Sequence, residues 1–154
     1  MKIIKIVPSL FLGFAMFAFT SVNDKVPQKV TEAFAKKFPT AKKITWEKEN
    51  ATEWEAEFKM NKIEYSANFL EDGTWMETEH EIKKAAIPKN VKDALMEAFP
   101  GYDIEEAEIS ETQKGTLYEF EIEKGESNME VSINADGKII KKEIKEEDDK
   151  EDKD

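Results

Sequence analysis

The chain has no cysteine among its 154 residues. That excludes disulfides, thiol nucleophiles, cysteine-ligated zinc and iron–sulfur clusters. It also excludes a lipid anchor on a cysteine after a leader. Histidine is nearly missing too: His80, in Glu79-His80-Glu81, stands alone. A Ser-His-Asp relay would need it beside an activated serine. No Gly-x-Ser-x-Gly turn exists, and Ser66 and Ser132 fall inside strand-like runs, so His80 reads as a half-exposed strand residue. There is no glycine-rich phosphate loop, no dinucleotide fingerprint and no Asp-x-Asp-x-Asp-Gly calcium loop. Positive charge is in deficit: the formal net charge is −11, which repels phosphate backbones and argues against nucleic acid as a partner.

Long hydrophobic runs are likewise lacking. Ile6 to Phe19 is apolar over 14 residues, short of the ~20 that a spanning helix needs. Preceded by Lys2 and Lys5, and followed by Ala18 and Thr20 placed for cleavage before Ser21, residues 1–20 are expected to be an export signal. The protein is then expected in the periplasm or secreted, off the membrane once the signal is cleaved. Residues 146–154 hold seven acids and two lysines and are expected to be a disordered acidic tail with nothing to bury.

What is present is a duplication. Val26-Pro27 through Phe38-Pro39 recurs as Ile87-Pro88 through Phe99-Pro100, 61 positions on. Trp54-Glu55-Ala56-Glu57-Phe58 is answered by Tyr118-Glu119-Phe120-Glu121-Ile122, and Asp72-Gly73 by Asp136-Gly137, at an offset of 64. Two copies of one supersecondary unit are expected, at 24–84 and 85–145. Each opens with a helix. Val26, Val30, Phe34 and Phe38, like Ile87, Val91, Leu95 and Phe99, lie four apart and stripe one helical face. Proline suits the first turn and stops the last. Four strands follow, the first expected at the short run Ile44-Thr45-Trp46. Trp54, Ala56, Phe58 and Met60 alternate with Glu53, Glu55, Glu57 and Lys59, and Ile63, Tyr65, Ala67 and Phe69 alternate with polar residues. Asn61-Lys62 between them fits a tight hairpin. In the second unit Ile104–Ile109 is expected as the first strand. The expected fold is α+β, with both helices on one face of an antiparallel sheet. That sheet is either eight-stranded or two abutting four-stranded sheets.

The ordered set resembles a known family: a leader, then a twice-used helix, Phe-Pro stop, Trp/Tyr-Glu-x-Glu strand and Asp-Gly turn. It is similar to the exported PepSY-like proteins, also described as β-lactamase-inhibitor-like, over essentially all of 26–144. The resemblance implies a tandem α/β fold in the periplasm of a Bacteroidetes-type bacterium and no established catalysis. It implies at most a binding role, by analogy with an inhibitor that lays a concave sheet on an enzyme and with modules proposed to restrain peptidases. No functional residue is carried over from it.

The candidate partner-binding residues follow from the face left without helices. It carries the rows Glu53, Glu55, Glu57 and Glu119, Glu121, Glu123, expected to lie in water with nothing apolar near enough to raise a carboxyl pKa. Trp54 reads as core. Trp46 and Trp75 are the aromatics that could anchor a partner. The expectation is a non-enzymatic protein without cofactor or metal that binds a periplasmic protein or peptide, with inhibition or regulation of a peptidase or other hydrolase as its concrete form. The alternative is binding of a divalent cation or a small cationic ligand by the acidic rows.

Overall fold

The computed structural model describes residues 25–145; the expected leader (1–20) and acidic tail (146–154) lie outside the described residues. Helix α1 (Gln28–Lys37) is followed by strands β1 (Lys42–Lys48), β2 (Glu53–Met60), β3 (Ile63–Leu70) and β4 (Trp75–Glu81). One 3₁₀ turn at Lys84–Ala86 leads to helix α2 (Lys89–Ala98), then β5 (Asp103–Thr112), β6 (Gly115–Lys124), β7 (Ser127–Asn134) and β8 (Ile139–Lys145). The strands form one eight-stranded antiparallel sheet in sequence order, β1 to β8. Of the two sheet arrangements left open by the sequence, the continuous one is therefore found.

The helices begin and end at prolines for a local reason. Pro27 and Pro88 hold extended ψ values of 142° and 140° at the N-caps. The Pro27 carbonyl accepts from Val30 and Thr31, and that of Pro88 from Lys92. At the other end Phe38 N–H donates to the Phe34 carbonyl and Phe99 N–H to that of Leu95, and the next proline forbids another turn. Ten-residue helices are not stable alone; each is held by its apolar stripe. Val30, Phe34 and Phe38 pack with Trp54, Ala56, Phe58, Ala67 and Phe69. Val91, Leu95 and Phe99 pack with Ile104, Ala107, Phe120, Ile122, Val131 and Ile133.

The hairpins use the expected turns. Asn61 and Lys62 both take positive φ (54° and 69°), the pairing of a two-residue turn whose twist matches the strands. At Asp72-Gly73 and Asp136-Gly137 the glycine is needed for space as well as φ. A Cβ on Gly73 (φ +87°) would stand 2.7 Å from the Lys29 carbonyl oxygen, on the first turn of α1. At Gly137 (φ +84°) the corresponding contact, with the Asn90 carbonyl oxygen, is 3.2 Å. Both substitutions to alanine force a left-handed backbone, costing about 1–2 kcal/mol. Gly73→Ala must also displace backbone, so it is expected to destabilise more than Gly137→Ala. Urea denaturation of the two variants checks this; equal losses would mean that the α1 contact is looser than described.

Two strand expectations need correction. Ile104–Ile109 was too short: β5 runs Asp103–Thr112. The run Ile44-Thr45-Trp46 extends to Lys42–Lys48. Lys42, Lys43 and Glu47 are exposed on this edge strand, where alternation carries no burial signal and charge discourages pairing with other chains.

Candidate functional site

The site is the acidic side of the sheet, opposite Trp54, Ala56 and Phe58, which pack with α1. Strand alternation puts Glu53, Glu55 and Glu57 there, and the register fixes what stands beside each. One row across the sheet reads Glu57, Ser66, Glu79, Ser110, Leu117, Asn134. The next reads Glu81, Glu108, Glu119, Ser132, Lys141, and a third Glu106, Glu121, Glu130, Glu143. On the other side Glu47, Glu55, Asn68, Glu77 and Thr112 align. Strands lie about 4.8 Å apart, so carboxylates from five or six strands crowd into one belt.

This belt is not the solvated face expected from the sequence. Glu79 is 9% exposed, Glu119 6% and Ser110 0%. The physical reason is position in the sheet. Side chains on β4, β5 and β6 are flanked by strands on both sides; on β2 exposure varies, Glu57 staying exposed while Glu53, held by Asn50, is buried. Register shifts in the β1/β2, β3/β4, β5/β6 and β7/β8 pairs bend the strands further.

Burial and mutual repulsion raise the carboxyl pKa values, contrary to the expectation that nothing would. Burial, then Glu77, Glu119 and Glu108, push Glu79 up to about 9. Burial, then Glu106, Glu119, Glu81 and Glu130, push Glu108 to about 8. Glu55 rises to about 7 through burial and then Glu49, Glu57 and Glu47. Glu119 also rises to about 7, through burial and then Glu77, with Ser132 and Lys141 opposing. Glu77 and Glu49 are raised as well, each chiefly by burial. The polar satisfaction is incomplete. Ser132 donates to Glu119 Oε1 at 3.3 Å, but Glu119 Oε2, Glu79 Oε1 and Glu108 Oε2 are buried without a hydrogen-bond partner in the described chain.

The remaining candidates fall as follows. Glu53, 9% exposed, accepts from Asn50 Nδ2 at 2.8 Å. Glu121 is half-buried in the third row. Trp46 and Trp75 are not on this face. Both are partly buried against the α1 core: Trp46 meets Phe34 at 5.2 Å, and Trp75 donates its indole N–H to Thr78 Oγ1 at 2.9 Å under the Lys37 ammonium. Sequence reading missed Glu77, Glu79 and Glu108. Their alternation was visible, but their central position was not.

Chemically, the belt can hold protons at neutral pH or exchange them for a cation. The exposed Glu64 and Asp72 are lowered, Glu64 by Lys59 and Asp72 by Thr74, whereas the shifted carboxyls of the belt are all raised. That is unlike the acid set against a base that glycosidase-type chemistry requires. Among the described residues no three Asp, Glu or His side chains converge as a metal-ligand group, and no helix is long and apolar enough to cross a membrane. His80 lies against Tyr65, ring centroids 4.7 Å apart, and burial lowers its pKa while Glu111 opposes the shift.

Comparison with known proteins gives a consistent fold. The family profile described as "Putative beta-lactamase-inhibitor-like, PepSY-like" matches residues 19–65 and 52–141. A BLIP-like protein from Bacteroides fragilis is 22% identical with a TM-score of 0.67, covering 77% of this chain and 86% of its own. A DUF2874 family protein from Bacteroides uniformis is 19% identical with a TM-score of 0.70, covering 77% and 88%. A protein described as a putative periplasmic protein, from Bacteroides eggerthii, is 17% identical with a TM-score of 0.70, covering 79% and 90%. No curated protein matches the sequence.

Proposed function

We propose that this chain, which belongs to the PepSY-like, β-lactamase-inhibitor-like family, is a non-enzymatic exported protein whose helix-free sheet face binds a partner in the periplasm. The observation that carries the reading is the buried, incompletely satisfied carboxyl belt. Burying an acid without a partner costs stability. A face kept only for solubility would leave its acids in water. A surface that retains this cost is accounted for by a complementary group that arrives on binding.

The reading takes the helix and four strands at 24–84 as a unit repeated at 85–145, with both helices on the same side, so that the acid face is free across its whole width. Restraint of a peptidase or other hydrolase is its concrete form. Export fits the leader-like residues 1–20 and the description of the Bacteroides eggerthii relative. Binding a divalent cation through the same rows is the second reading. It is supported by the density of carboxylates and weakened by their failure to converge.

Charge reversal tests the face. Glu57→Lys and Glu121→Lys alter it, whereas Lys36→Glu and Lys92→Glu alter the exposed sides of α1 and α2. A saturable partner captured from periplasmic extract of the source bacterium is expected to be lost with the first pair and kept with the second. No saturable partner, or equal loss with both pairs, overturns the proposal.

A further inference from the structure

Between β3 and β4 the sheet opens. Their pairing stops at Ser66↔Glu79, although β3 begins at Ile63 and β4 continues to Glu81. On either side pairing continues: β2 stays with β3 to Met60↔Ile63, and β4 stays with β5 to Glu81↔Glu108. A cleft of about 360 Å³ occupies the fork, within the usual range for small-ligand sites. Its walls differ. One is predominantly acidic, formed by Glu55, Glu79 and Glu108 with Ser66, and also carries Lys43 and Lys59, the latter paired with Glu64; the other is aromatic, where Tyr65 and His80 bring helix-side rings to the cleft. Glu79, more than nine-tenths buried, has its Oε1 in the protein interior without a hydrogen-bond partner, and Glu108 Oε2 is likewise unpartnered.

We propose that this fork is a binding site for a primary alkylammonium group on a short carbon chain, with Glu79 and Glu108 as its carboxylate partners and the Tyr65 ring beside its methylenes. The geometry selects this class over others. An anion is repelled by the acids. A bare divalent cation needs six or more oxygens converging at short range, and no described carboxylates converge so. An ammonium needs only three acceptors spread around it, and it gains from an aromatic face nearby. An alkyl stem then fills the apolar side of a cleft that no single ion could fill. The proposal rests on the reading of the helix-free face as the binding face, and it specifies which group that face receives.

The ligand must compete with protons. Glu79 is faced by Glu77 and Glu81 on its own strand, Ser66 on β3, Glu57 on β2, Glu108 and Ser110 on β5 and Glu119 on β6. With Glu79 at about 9 and Glu108 at about 8, the empty site is largely protonated at pH 7. Binding of a group that stays cationic up to about pH 10 then drives protons off the carboxyls, and these pass to the buffer.

Calorimetric titration of the full chain with 1,5-diaminopentane, and separately with the capped peptide acetyl-Gly-Lys-Gly-amide, tests this. The expected result is saturable binding of at least one of them. Its measured heat should change with buffer ionisation enthalpy, reporting about one proton released per ligand at pH 7 and less at pH 9. Affinity should rise with pH over that interval. The diamine arm marks a free amine as the natural ligand, and the peptide arm a lysine side chain of a bound protein. Glu79→Gln should weaken binding at least about tenfold and reduce the proton release, while its circular dichroism and urea midpoint verify folding. Glu32→Gln, on the exposed side of α1, should change neither. The proposal is overturned if neither amine saturates below about 10 mM, if Glu79→Gln binds as wild type, or if Ca²⁺ binds where the amines do not. The charge-reversal capture experiment can succeed whether or not the amines bind, so the two failures are distinguishable.

Discussion

Raising the pH from about 5 to 9 is expected to destabilise the protein progressively. The sign follows from the acid belt. In the unfolded chain its glutamates titrate near 4.5; in the folded chain Glu55 and Glu119 titrate at about 7, Glu108 at about 8 and Glu79 at about 9. Between those limits the native state holds more protons than the unfolded state, so the slope of stability against pH is negative. The stability is fully present below about 4.5 and is lost as pH climbs through the folded values. His80, whose pKa is lowered, contributes with the opposite sign below about 6.5, and it is one group against six raised carboxyls. Glu64 and Asp72 are also lowered, but their contribution disappears only at acid pH.

Denaturant titrations at half-unit pH steps measure the curve. Glu79→Gln should flatten it and raise stability at pH 8, because a neutral amide needs no proton to stay buried. A flat wild-type profile between pH 5 and 9 would mean that the carboxyls are solvated and would remove the main support for a binding face. A variant that is both more stable and poorer at binding an amine would show stability given up for function, the pattern common at sites evolved to receive a ligand.

Removing one ring should also destabilise the protein at neutral pH. Phe34→Ala is expected to cost about 3–5 kcal/mol, against a typical domain stability of about 5–15 kcal/mol. Phe34 is 3% exposed and lies at the centre of an aromatic cluster. Its ring centroid is 5.0 Å from Phe58, 5.2 Å from Phe38 and Trp46, and 6.1 Å from Phe69, mostly edge to face. These rings are contributed by α1, β1, β2 and β3, and none can close the space without moving a backbone. The ten-residue α1 has no side-chain cap hydrogen bond at its N-terminus, so little but this packing holds it. A midpoint shift in urea with an unchanged slope is the expected signature. A loss below about 1 kcal/mol would contradict the packing of α1 described here.

Much of this molecule could be read from its sequence because the relevant signals are local. The four-residue spacing of Val26, Val30, Phe34 and Phe38 marks a helix with one greasy stripe, and α1 uses that stripe to cover the sheet. The alternation at Trp54 to Met60 assigns each side chain to a face, and β2 keeps that assignment. Asn61-Lys62 could be placed in a turn because short polar residues between two alternating runs leave the chain few other options. The site was harder to locate. Trp46 and Trp75 looked like anchors, but bends at Lys42/Thr45 and Asn68/Phe69 occur beside them, and both rings lie against the core.

Alternation and spacing in the chain alone determined which residues are greasy, which are acidic, and that the two kinds occupy opposite sides of each strand. Strand order and register, which arise only when all eight strands are assembled, decided that Glu79, Glu108 and Glu119 stand side by side in the middle of the sheet. Whether an acid is solvated depends on what lies across from it, and that neighbour can be 30 or 40 residues away in sequence. No local pattern carries the distance over which Glu79 is repelled by Glu108 and Glu119, so only the tertiary structure shows that the acid face is also a buried one.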